Sequence, residues 1–448
     1  MFSRILIANR GEIALRIIRT CRQMGIETVG VYSEADEDSL HVRFADESIR
    51  IGPSESEQSY MNISSIISAA EIADVDAIHP GYGFLSENAH FAEVCRSCKI
   101  EFIGPNESAM ELLGNKVRAK EIARETGVPV IPGSRGFVQN EQEAIDTAGE
   151  IGYPVIIKAA FGGGGRGMRV AHNEATLKTG MYAARREAET AFKQGELYIE
   201  KYIENPRHIE VQVLGDMHGK FIHLGERDCT IQRRNQKLLE ESPSPAISSE
   251  TREAMGTAAI DLVSKANCFN AGTVEFMYDT ETDSFFFMEV NTRLQVEHPV
   301  TEMITGLDLV EQQIRVASGE PLAFSPEDIS FEGHAIECRI NAEDPDKDFI
   351  PRPGTIDLFI PPLEQDVRLD THCYGGYSIP PYYDSLIGKL IVRGKDRSDA
   401  IRRTRLALGV FLIEGIPTTI SFHKKLLKHA RFGSGRYDIH FVENEFLN

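Results

Sequence analysis

Two glutamates in a predicted β-hairpin carry the strongest local chemical signal in the sequence. The apolar runs Thr273–Tyr278 and Phe285–Asn291 flank a turn-like segment, which predicts two antiparallel strands. Glu275 and Glu289 are equidistant from the turn, so they would face each other with β-carbons about 4.5–5.5 Å apart. Opposed carboxylates repel unless a cation lies between them, and Asn291 adds a neutral oxygen on the same face. We therefore expect a hard divalent cation such as Mg²⁺ here, with a solvated sheet face as the alternative.

A second polar cluster follows directly after the hairpin. Arg293, Gln295 and Glu297 occupy alternate positions and would point to one side of an extended segment. An arginine, an amide and a carboxylate suit a small planar anion together with a base that deprotonates it. Alone, such a triplet is more often an ordinary loop, but its position beside the hairpin favours a functional site.

Four adjacent glycines, Gly162–Gly165, lie between two apolar runs. Backbone amides in such a loop can approach phosphate oxygens because no side chain intervenes, and Lys158 would supply a cation. A flexible hairpin tip explains the same residues equally well. The sequence contains no Gly-Lys-Ser or Gly-Lys-Thr, so a P-loop is excluded.

Two further segments carry polar residues in suggestive patterns. Strict alternation places His208, Glu210 and Gln212 on one face of a strand, which a half-buried strand with a wet face explains just as well. The run Gln232–Lys237 concentrates three cations and three amides in a chain of formal net charge −20. It is either a solvated loop or an entrance that attracts phosphate or bicarbonate.

The elements that position these residues begin with a predicted parallel sheet, because the first hundred residues alternate apolar runs with helical patterns. We expect strands at residues 5–8, 28–32, 77–79 and 101–103, and helices at residues 12–24, 63–73, 89–98 and 398–412. The turn after the first strand has one of the three glycines of a dinucleotide fingerprint, so NAD or FAD is not expected. Domain boundaries are expected near residues 113 and 325.

Composition excludes several classes of protein. The 448 residues include 48 Lys and Arg against 68 Asp and Glu, and the resulting charge of −20 disfavours nucleic-acid binding. No apolar run reaches about 18 residues and no secretory signal is visible, so a membrane role is not expected. The seven scattered cysteines indicate a reducing cytoplasm, and the pair Cys95 and Cys98 lacks the further ligands of a zinc site.

Taken together, these segments resemble the ATP-grasp superfamily, and in particular the biotin carboxylase component of biotin-dependent carboxylases. The similarity runs essentially end to end. Its most specific pieces are His79–Asn88, Gly162–Met168, Glu226–Cys229, Glu289–Thr301 and Pro380–Ser385. The resemblance implies a protein of the α/β and α+β classes: a Rossmann-like domain at residues 1–113, an ATP-grasp domain at 114–325 and a mixed C-terminal domain at 326–448. A glycine-rich lid would occupy about residues 130–203 of the ATP-grasp domain.

The resemblance also implies the site residues. ATP would be bound by Lys116, Lys158, Gly163, Gly164, Gly165, Met168, Glu200, Lys201, Ile203, His208 and Gln232. Mg²⁺ or Mn²⁺ would be held by Glu275, Glu289 and Asn291. Bicarbonate would be bound by Lys237, Arg293, Gln295, Val296 and Glu297, and the biotin ring would lie near Tyr82 and Arg339.

The reaction of the family implies three catalytic residues. Glu297 would deprotonate bicarbonate, which attacks the γ-phosphate of ATP to give carboxyphosphate, while Lys237 neutralises the developing charge. Arg293 would stabilise the enolate form of biotin while its ureido nitrogen is carboxylated. Closure of the lid would exclude the water that hydrolyses carboxyphosphate.

Biotin must come from another protein, because no methionine is followed by lysine and the Met-Lys-Met attachment motif is absent. We therefore expect a stand-alone homodimeric subunit that acts on a biotin carboxyl carrier protein, with carboxyltransferase subunits completing the system. The short chain favours acetyl-CoA carboxylase and fatty acid biosynthesis. A pyruvate carboxylase or another acyl-CoA carboxylase of two subunits is the alternative.

Two residues depart from the family pattern. Asn235 stands where a histidine near the nucleotide is common, and Phe161 replaces a small residue just before the glycines. Their effects on ATP binding and on the lid hinge stay open. An ATP-grasp ligase for another acid is the main rival function, and a non-catalytic nucleotide-binding module is a second rival that would not need the acidic hairpin.

Overall fold

The N-terminal part folds around a parallel sheet, as predicted. In the computed structural model, which describes residues 1–134, 136–159, 168–192 and 195–447, five strands have the order β3-β2-β1-β4-β5, and each neighbouring pair is parallel. The elements are β1 Arg4–Ile7, α1 Gly11–Gln23, β2 Glu27–Ser33, α2 Leu40–Phe44, β3 Glu47–Gly52, α3 Ile63–Ile72, β4 Ala77–His79, α4 Ala89–Ser97, β5 Glu101–Phe102 and α5 Glu107–Gly114.

The predicted strands are correct to within a residue or two because helices cover them and their apolar runs are continuous. Ile5, Leu6 and Ile7 of β1, for example, have no exposed surface. Strand β3 was not predicted, since it is a polar strand at the edge of the sheet and only one of its six residues is buried.

The central part contains a small three-stranded antiparallel sheet of order β7-β6-β8 and most of a large antiparallel sheet. The elements are α6 Lys116–Glu125, α7 Glu141–Ile151, β6 Val155–Ala159, β7 Met168–Ala171, α8 Glu174–Phe192, β8 Leu197–Lys201, β9 Pro206–Gly215, β10 Phe221–Arg233, β11 Gln236–Ser242, α9 Ser249–Lys265, β12 Asn270–Asp279, β13 Ser284–Asn291, α10 His298–Thr305 and α11 Leu309–Ala317. The central glycines at 162–165 lie outside the described residues.

The C-terminal part adds three strands to the large sheet, and its described residues also form six short strands and four α-helices. Its elements are β14 His334–Asn341, β15 Glu343–Asp344, β16 Ile350–Pro351, β17 Gly354–Thr355, β18 Leu358–Ile360, β19 Val367–Thr371, β20 Ser378–Ile379, β21 Leu386–Gly394, α12 Arg397–Val410, β22 Leu412–Glu414, α13 Ile420–Leu426, α14 Ala430–Gly433 and α15 Phe441–Phe446. The predicted helix at 398–412 is therefore wrong at its end, because Leu412 belongs to β22, which pairs with β18.

One eight-stranded sheet connects the central and C-terminal parts. Its order is β13-β12-β9-β10-β11-β14-β21-β19, so β11 from the central part pairs directly with β14 from the C-terminal part. The cores are shared as well: Ile231 and Leu238 pack in one cluster with Leu390 and Phe432. The N-terminal sheet packs through α1 against Leu214 and other central residues. This sharing fixes the positions of side chains from all three parts relative to one another.

None of the helices in the described part of the chain combines the length and the apolar character needed to cross a bilayer.

We predict that Phe276→Ala lowers the free energy of unfolding by about 3–5 kcal/mol, the cost of truncating a fully buried aromatic residue. Phe276 has no exposed surface and its ring packs edge-on against Phe285, with ring centres 5.4 Å apart. The chain has no tryptophan, so urea unfolding should be followed by far-UV circular dichroism. Phe44→Ala, at a ring that is 44% exposed, is the control and should change stability much less. Equal losses in the two variants would contradict the core assignment.

Candidate active site

A central cleft of about 730 Å³ lies on the large sheet beside the N-terminal part. The residues that line it include Tyr82, Lys116, His208, Gln232, Lys237, Glu275, Glu289, Asn291, Arg293, Gln295, Val296, Glu297 and Arg339. The fold therefore brings the predicted metal, bicarbonate and biotin-ring residues into one cleft, together with three of the predicted ATP contacts. We call this space the central cleft below.

The acidic hairpin forms with the predicted register. Strands β12 and β13 pair Glu275 directly with Glu289, and a bulge follows, so that the next pair is Phe276 with Phe287. Asn291 donates from Nδ2 to Glu275 Oε1 at 3.0 Å. Two carboxylates and an amide oxygen beside an open cleft are a donor set that fits Mg²⁺ or Mn²⁺.

The two carboxylates are also balanced by protein cations, which the hairpin pattern does not reveal. Glu275 contacts Lys237 Nζ at 3.0 Å and His208 Nε2 at 3.1 Å, and Glu289 contacts Lys116 Nζ at 2.8 Å. Burial alone would raise the pKa of Glu275, but Lys237 and His208 hold that pKa far below its usual range. Glu275 is therefore an ionised oxygen donor at neutral pH.

Lys237 joins three carboxylates at the floor of the cleft. Its Nζ lies 2.6 Å from Glu210, 3.0 Å from Glu275 and 2.7 Å from Glu297. Burial opposes the charge of Lys237, but these carboxylates raise its pKa well above the usual value. One ammonium thus connects strands β9, β11 and β12 with the start of α10.

The polar face of β9 is buried, so the wet-face alternative for His208, Glu210 and Gln212 is wrong. All ten residues of β9 are buried because β10 and β12 pair with it on both sides and a polar layer covers it. Arg227 is central to that layer: it donates from Nε to Glu210 at 2.6 Å and from Nη1 to Gln212 at 2.8 Å. Glu210 and Arg227 are therefore paired with each other, as the cost of burying a charge requires.

Glu297 is a buried carboxylate held by two cations. It has no exposed surface, and its two oxygens contact Lys237 Nζ at 2.7 Å and Arg339 Nη2 at 2.9 Å. Burial raises its pKa, but Lys237, Arg339 and Arg227 outweigh burial and hold that pKa well below the usual value. Glu297 is therefore ionised and able to accept a proton.

Arg293 and Gln295 lie in the segment between β13 and α10, and Gln295 connects this segment to Glu275. Arg293 donates to Gln295 Oε1 at 2.7 Å, and Gln295 donates to Glu275 Oε1 at 3.2 Å. Arg293 also contacts Glu87 of the N-terminal part at 2.9 Å. The prediction of one extended segment through Glu297 is wrong, because the chain turns there and Glu297 directly precedes α10. The polar side chains converge all the same, through contacts with other elements.

The predicted biotin-ring residues lie where the central cleft meets a second cavity of about 320 Å³. Arg339 donates to Glu240 at 2.6 Å as well as to Glu297, and the hydroxyl of Tyr82 donates to Glu12. The carbonyl of Val296 accepts a hydrogen bond from Lys389 Nζ at 2.9 Å. Tyr82, Val296 and Arg339 line both spaces, which we call the central cleft and the inner cavity.

The predicted ATP contacts divide into two groups. Lys116, His208 and Gln232 line the central cleft. Met168, Lys158, Glu200 and Lys201 belong to the three-stranded sheet, and buried Ile203 follows it. Gly163, Gly164 and Gly165 lie outside the described residues.

Within the three-stranded sheet, the predicted ATP contacts Lys158, Glu200 and Lys201 bind other groups of the protein. Glu200 is ion-paired with Lys158 at 2.6 Å and with Lys120 at 2.5 Å. Lys201 donates to the carbonyls of Gly152 and Tyr153 at 3.1 and 3.0 Å. Glu200 thus joins Lys120 of α6 to Lys158 of β6, and Lys201 joins the end of β8 to the residues just before β6.

Sequence reasoning misses four charged residues that hold the site together. Arg227 appears only inside a family motif, and Lys120, Glu240 and Lys389 do not appear at all. Glu240 and Lys389 each have no exposed surface although they lie in strands with several apolar residues. A charge within such a strand is a usable signal, because it needs a partner once the strand is buried.

Comparisons with known proteins cover nearly the whole chain. Residues 1–110 match the family described as "Biotin carboxylase, N-terminal domain", and residues 337–444 match "Biotin carboxylase C-terminal domain". Residues 115–325 match "Carbamoyl-phosphate synthase L chain, ATP binding domain". The chain is 57% identical over 443 residues to "Biotin carboxylase 1" of Bacillus subtilis, covering 99% of this chain and 98% of the relative.

Two solved structures have the same fold. The biotin carboxylase of Campylobacter jejuni in a β,γ-ATP complex has a TM-score of 0.92 and 52% identity, with 99% of each chain covered. The biotin carboxylase domain dimer of the 2-oxoglutarate carboxylase of Hydrogenobacter thermophilus has a TM-score of 0.90 and 49% identity, covering 99% of this chain and 98% of that one. That structure contains MgADP, ADP and bicarbonate.

We predict that Glu240 makes the protein less stable as pH rises from about 4.5 to 7. Burial raises the pKa of Glu240 to about 7 in spite of its contact with Arg339. The folded state then binds more protons than the unfolded state across this interval, so the free energy of unfolding falls with pH. Urea unfolding of wild type and Glu240→Gln at both ends of the interval should show that the advantage of the variant grows with pH. Glu111→Gln, at an exposed position, is the control; a constant difference would contradict the raised pKa.

Proposed function

Because the chain belongs to the biotin carboxylase family, we propose that it uses ATP and bicarbonate to carboxylate biotin held on a separate carrier protein. The observation that carries this proposal is the position of Glu297: an ionised, buried carboxylate with Lys237 on one side and Arg339 on the other. A base in this position lies between the acidic hairpin and the inner cavity. It can therefore act on a small acid bound between ATP and biotin.

ATP and a divalent metal fit the cleft by chemistry as well as by family. The residues Glu275, Glu289 and Asn291 would hold Mg²⁺ or Mn²⁺, which supplies positive charge to the phosphate oxygens. Lys116 and His208 line the same cleft next to these carboxylates and would contact the phosphates. Lys158, Gly163, Gly164, Gly165, Met168, Glu200, Lys201, Ile203 and Gln232 are the further ATP contacts that we propose from the family.

Glu297 is the general base of the first step. It takes the proton of the bicarbonate hydroxyl, and the resulting oxygen attacks the γ-phosphorus while the bond to the ADP oxygen breaks. The products are carboxyphosphate and ADP, with the proton on Glu297. Arg293, Gln295 and the backbone at Val296 hold the planar anion in the family pattern, and an arginine fork suits its geometry.

Lys237 links this proton transfer to the phosphoryl transfer. In the structure its ammonium contacts Glu297 at 2.7 Å and Glu275 at 3.0 Å. When negative charge develops on the transferring group, the ammonium can neutralise that charge instead. Glu297 then loses a cation and its pKa rises, so the base gains proton affinity as the nucleophile forms.

The second step carboxylates biotin. Carboxyphosphate yields CO₂ beside the ureido ring, with Tyr82 and Arg339 at the junction of the cleft and the cavity. Arg293 stabilises the enolate form of the ring. A closed lid keeps water from carboxyphosphate during this step.

The partners of the chain are a biotin carboxyl carrier protein, carboxyltransferase subunits and a second copy of the chain. The dimer of the Hydrogenobacter thermophilus domain supports a homodimer. We propose the cytoplasm as the location, and the first half-reaction of acetyl-CoA carboxylase in fatty acid biosynthesis as the role. The 2-oxoglutarate carboxylase of Hydrogenobacter thermophilus supports the alternative, in which the final acceptor is pyruvate or an acyl-CoA other than acetyl-CoA.

The assay that tests this function is ADP release by the purified chain with MgATP. We expect release to require bicarbonate and to rise strongly when free biotin is added. If bicarbonate alone gives the full rate, the chain is an ATP-grasp ligase with another acceptor, and the roles of Tyr82 and Arg339 fall. ADP release that does not require bicarbonate would contradict both the proposed function and the alternative ligase.

Glu297→Gln should reduce bicarbonate-dependent ADP release by about 10²–10⁴-fold, because a positioned general base contributes that much. The amide keeps the size of the side chain but cannot accept the proton. ATP binding, measured by titration calorimetry, should change little. Glu250→Gln, at an exposed glutamate on α9, is the matched control and should retain the wild-type rate. A Glu297→Gln variant with near wild-type turnover would remove Glu297 from the mechanism.

A further inference from the structure

Lys389 is a buried cation that joins all three parts of the chain and that the proposed reaction does not use. It lies in β21, in the C-terminal part, and none of its surface is exposed. Its Nζ lies 3.0 Å from Glu12 Oε1 in α1 of the N-terminal part, and it donates to the carbonyl of Val296 in the central part at 2.9 Å. A buried ammonium loses its hydration, so its direct partners hold it in one position.

The contact with Val296 fixes the peptide that leads into the proposed base. The Val296 carbonyl and the N–H of Glu297 belong to the same planar peptide unit, and α10 begins at the next residue, His298. This carbonyl lies outside the helix and accepts its hydrogen bond from a strand of the large sheet. Lys389 therefore holds the backbone on which the proposed bicarbonate site is built.

The contact with Glu12 fixes a residue on the other side of the site, Tyr82. The hydroxyl of Tyr82 donates to Glu12 Oε1, the same oxygen that Lys389 contacts. Burial raises the pKa of Tyr82 well above its usual value, so the hydroxyl keeps its proton and stays a donor. Lys389 also lies over the face of the Tyr82 ring, with 5.7 Å between Nζ and the ring centre. The ring at the junction of the two spaces is thus anchored through Glu12.

Charge balance is the alternative role for Lys389, because other charged residues share its part of the sheet. Strand pairing places Arg339 on one side of Lys389 and Asp370 on the other. Asp370 has its own cation, since Arg368 contacts it at 2.6 Å. Burial raises the pKa of the nearby Glu337 well above its usual value, which favours the uncharged form of that carboxyl. Neither carboxyl therefore depends on Lys389 alone.

We propose that Lys389 is a positioning residue, which holds the bicarbonate side and the biotin side of the site with one ammonium. The inference rests on the proposed function. Removal of the ammonium would free the Val296 peptide, so that the bicarbonate site loses its fixed geometry. It would also free Glu12, so that the Tyr82 hydroxyl loses an acceptor of fixed position.

Kinetics of a single substitution test this role. Lys389→Met removes the ammonium and keeps an unbranched side chain of similar length. ADP release by the purified chain is measured while MgATP, bicarbonate or free biotin is varied in turn. We expect the KM values for bicarbonate and for biotin to rise by about tenfold or more, as loss of a hydrogen bond from a charged group allows, while the KM for MgATP stays unchanged.

The matched control is Lys395→Met, at the exposed residue that follows β21, and it should keep the wild-type KM values. An unchanged KM for bicarbonate in Lys389→Met would overturn the proposal. An equal rise of all three KM values would overturn it too, because a general loss of structure does not select between substrates.

A double variant separates positioning from charge balance. Lys389→Met leaves Glu12 buried without its cation, which by itself lowers stability. Glu12→Met combined with Lys389→Met removes both members of the pair, so its free energy of unfolding in urea should lie closer to that of wild type. The KM for bicarbonate should stay raised in the double variant, because Val296 still lacks its donor. Return of this KM to the wild-type value would overturn the proposal, since Lys389 would then serve only to neutralise Glu12.

Glu12→Met alone tests the biotin side. Lys389 keeps its hydrogen bond to Val296 in this variant and Tyr82 loses its acceptor, so the KM for biotin should rise more than the KM for bicarbonate. An equal or larger rise in the KM for bicarbonate would overturn the assignment of the two contacts. Absence of bicarbonate-dependent ADP release in wild type would overturn the proposed function itself, whereas unchanged KM values in Lys389→Met would overturn only the role of Lys389.

Discussion

The contacts of Lys237 are the constraint on which the rest of the site depends. A single ammonium lies within 3.0 Å of carboxylates from Glu210, Glu275 and Glu297. Three buried carboxylates this close together would repel strongly without a cation, so the strands that carry them can pack only around Lys237. The same contact sets the distance between the acidic hairpin and the base. Glu275 of the acidic hairpin and the buried Glu297 thus belong to one electrostatic unit.

Charge balance spreads from this unit into the sheet. The guanidinium of Arg227 neutralises Glu210, and that of Arg339 contacts both Glu297 and Glu240. Because each carboxylate shares its cation with another, a change of charge at one of them alters the pKa of its neighbours. Under the proposed function, this sharing would let Glu297 be ionised before the reaction and still accept a proton during it. A base with an isolated ion pair would lack that adjustment.

The arrangement is possible because one sheet contains strands from both the central and the C-terminal parts of the chain. Strand β14 carries Arg339 and pairs with β11, which carries Lys237 and Glu240. The N-terminal part then packs its first helix, α1, beside the same edge and closes the inner cavity. Tyr82, Val296 and Arg339 belong to both spaces. Arg339 therefore borders both the central cleft and the inner cavity.

The pattern of neighbouring residues was sufficient to predict the elements whose structure depends on local sequence. The hairpin register that opposes Glu275 and Glu289 follows from the apolar runs and the turn, and the parallel N-terminal strands follow from their continuous apolar residues. The same local reasoning suggested a wet face for β9, although that face is buried under Arg227. It also required a metal between two carboxylates that Lys116, Lys237 and His208 already balance.

The sequence by itself therefore determined the acidic hairpin, the family and most of the residues that the fold gathers in the central cleft. Only the tertiary structure decided which charges meet. Arg227, Glu240 and Lys389 are charged residues within strands, and no neighbouring residue in the sequence indicates which groups they will pair with. The partner of a buried charge is set by strand pairing and packing between distant segments, since desolvation forces a partner but leaves its identity to the fold.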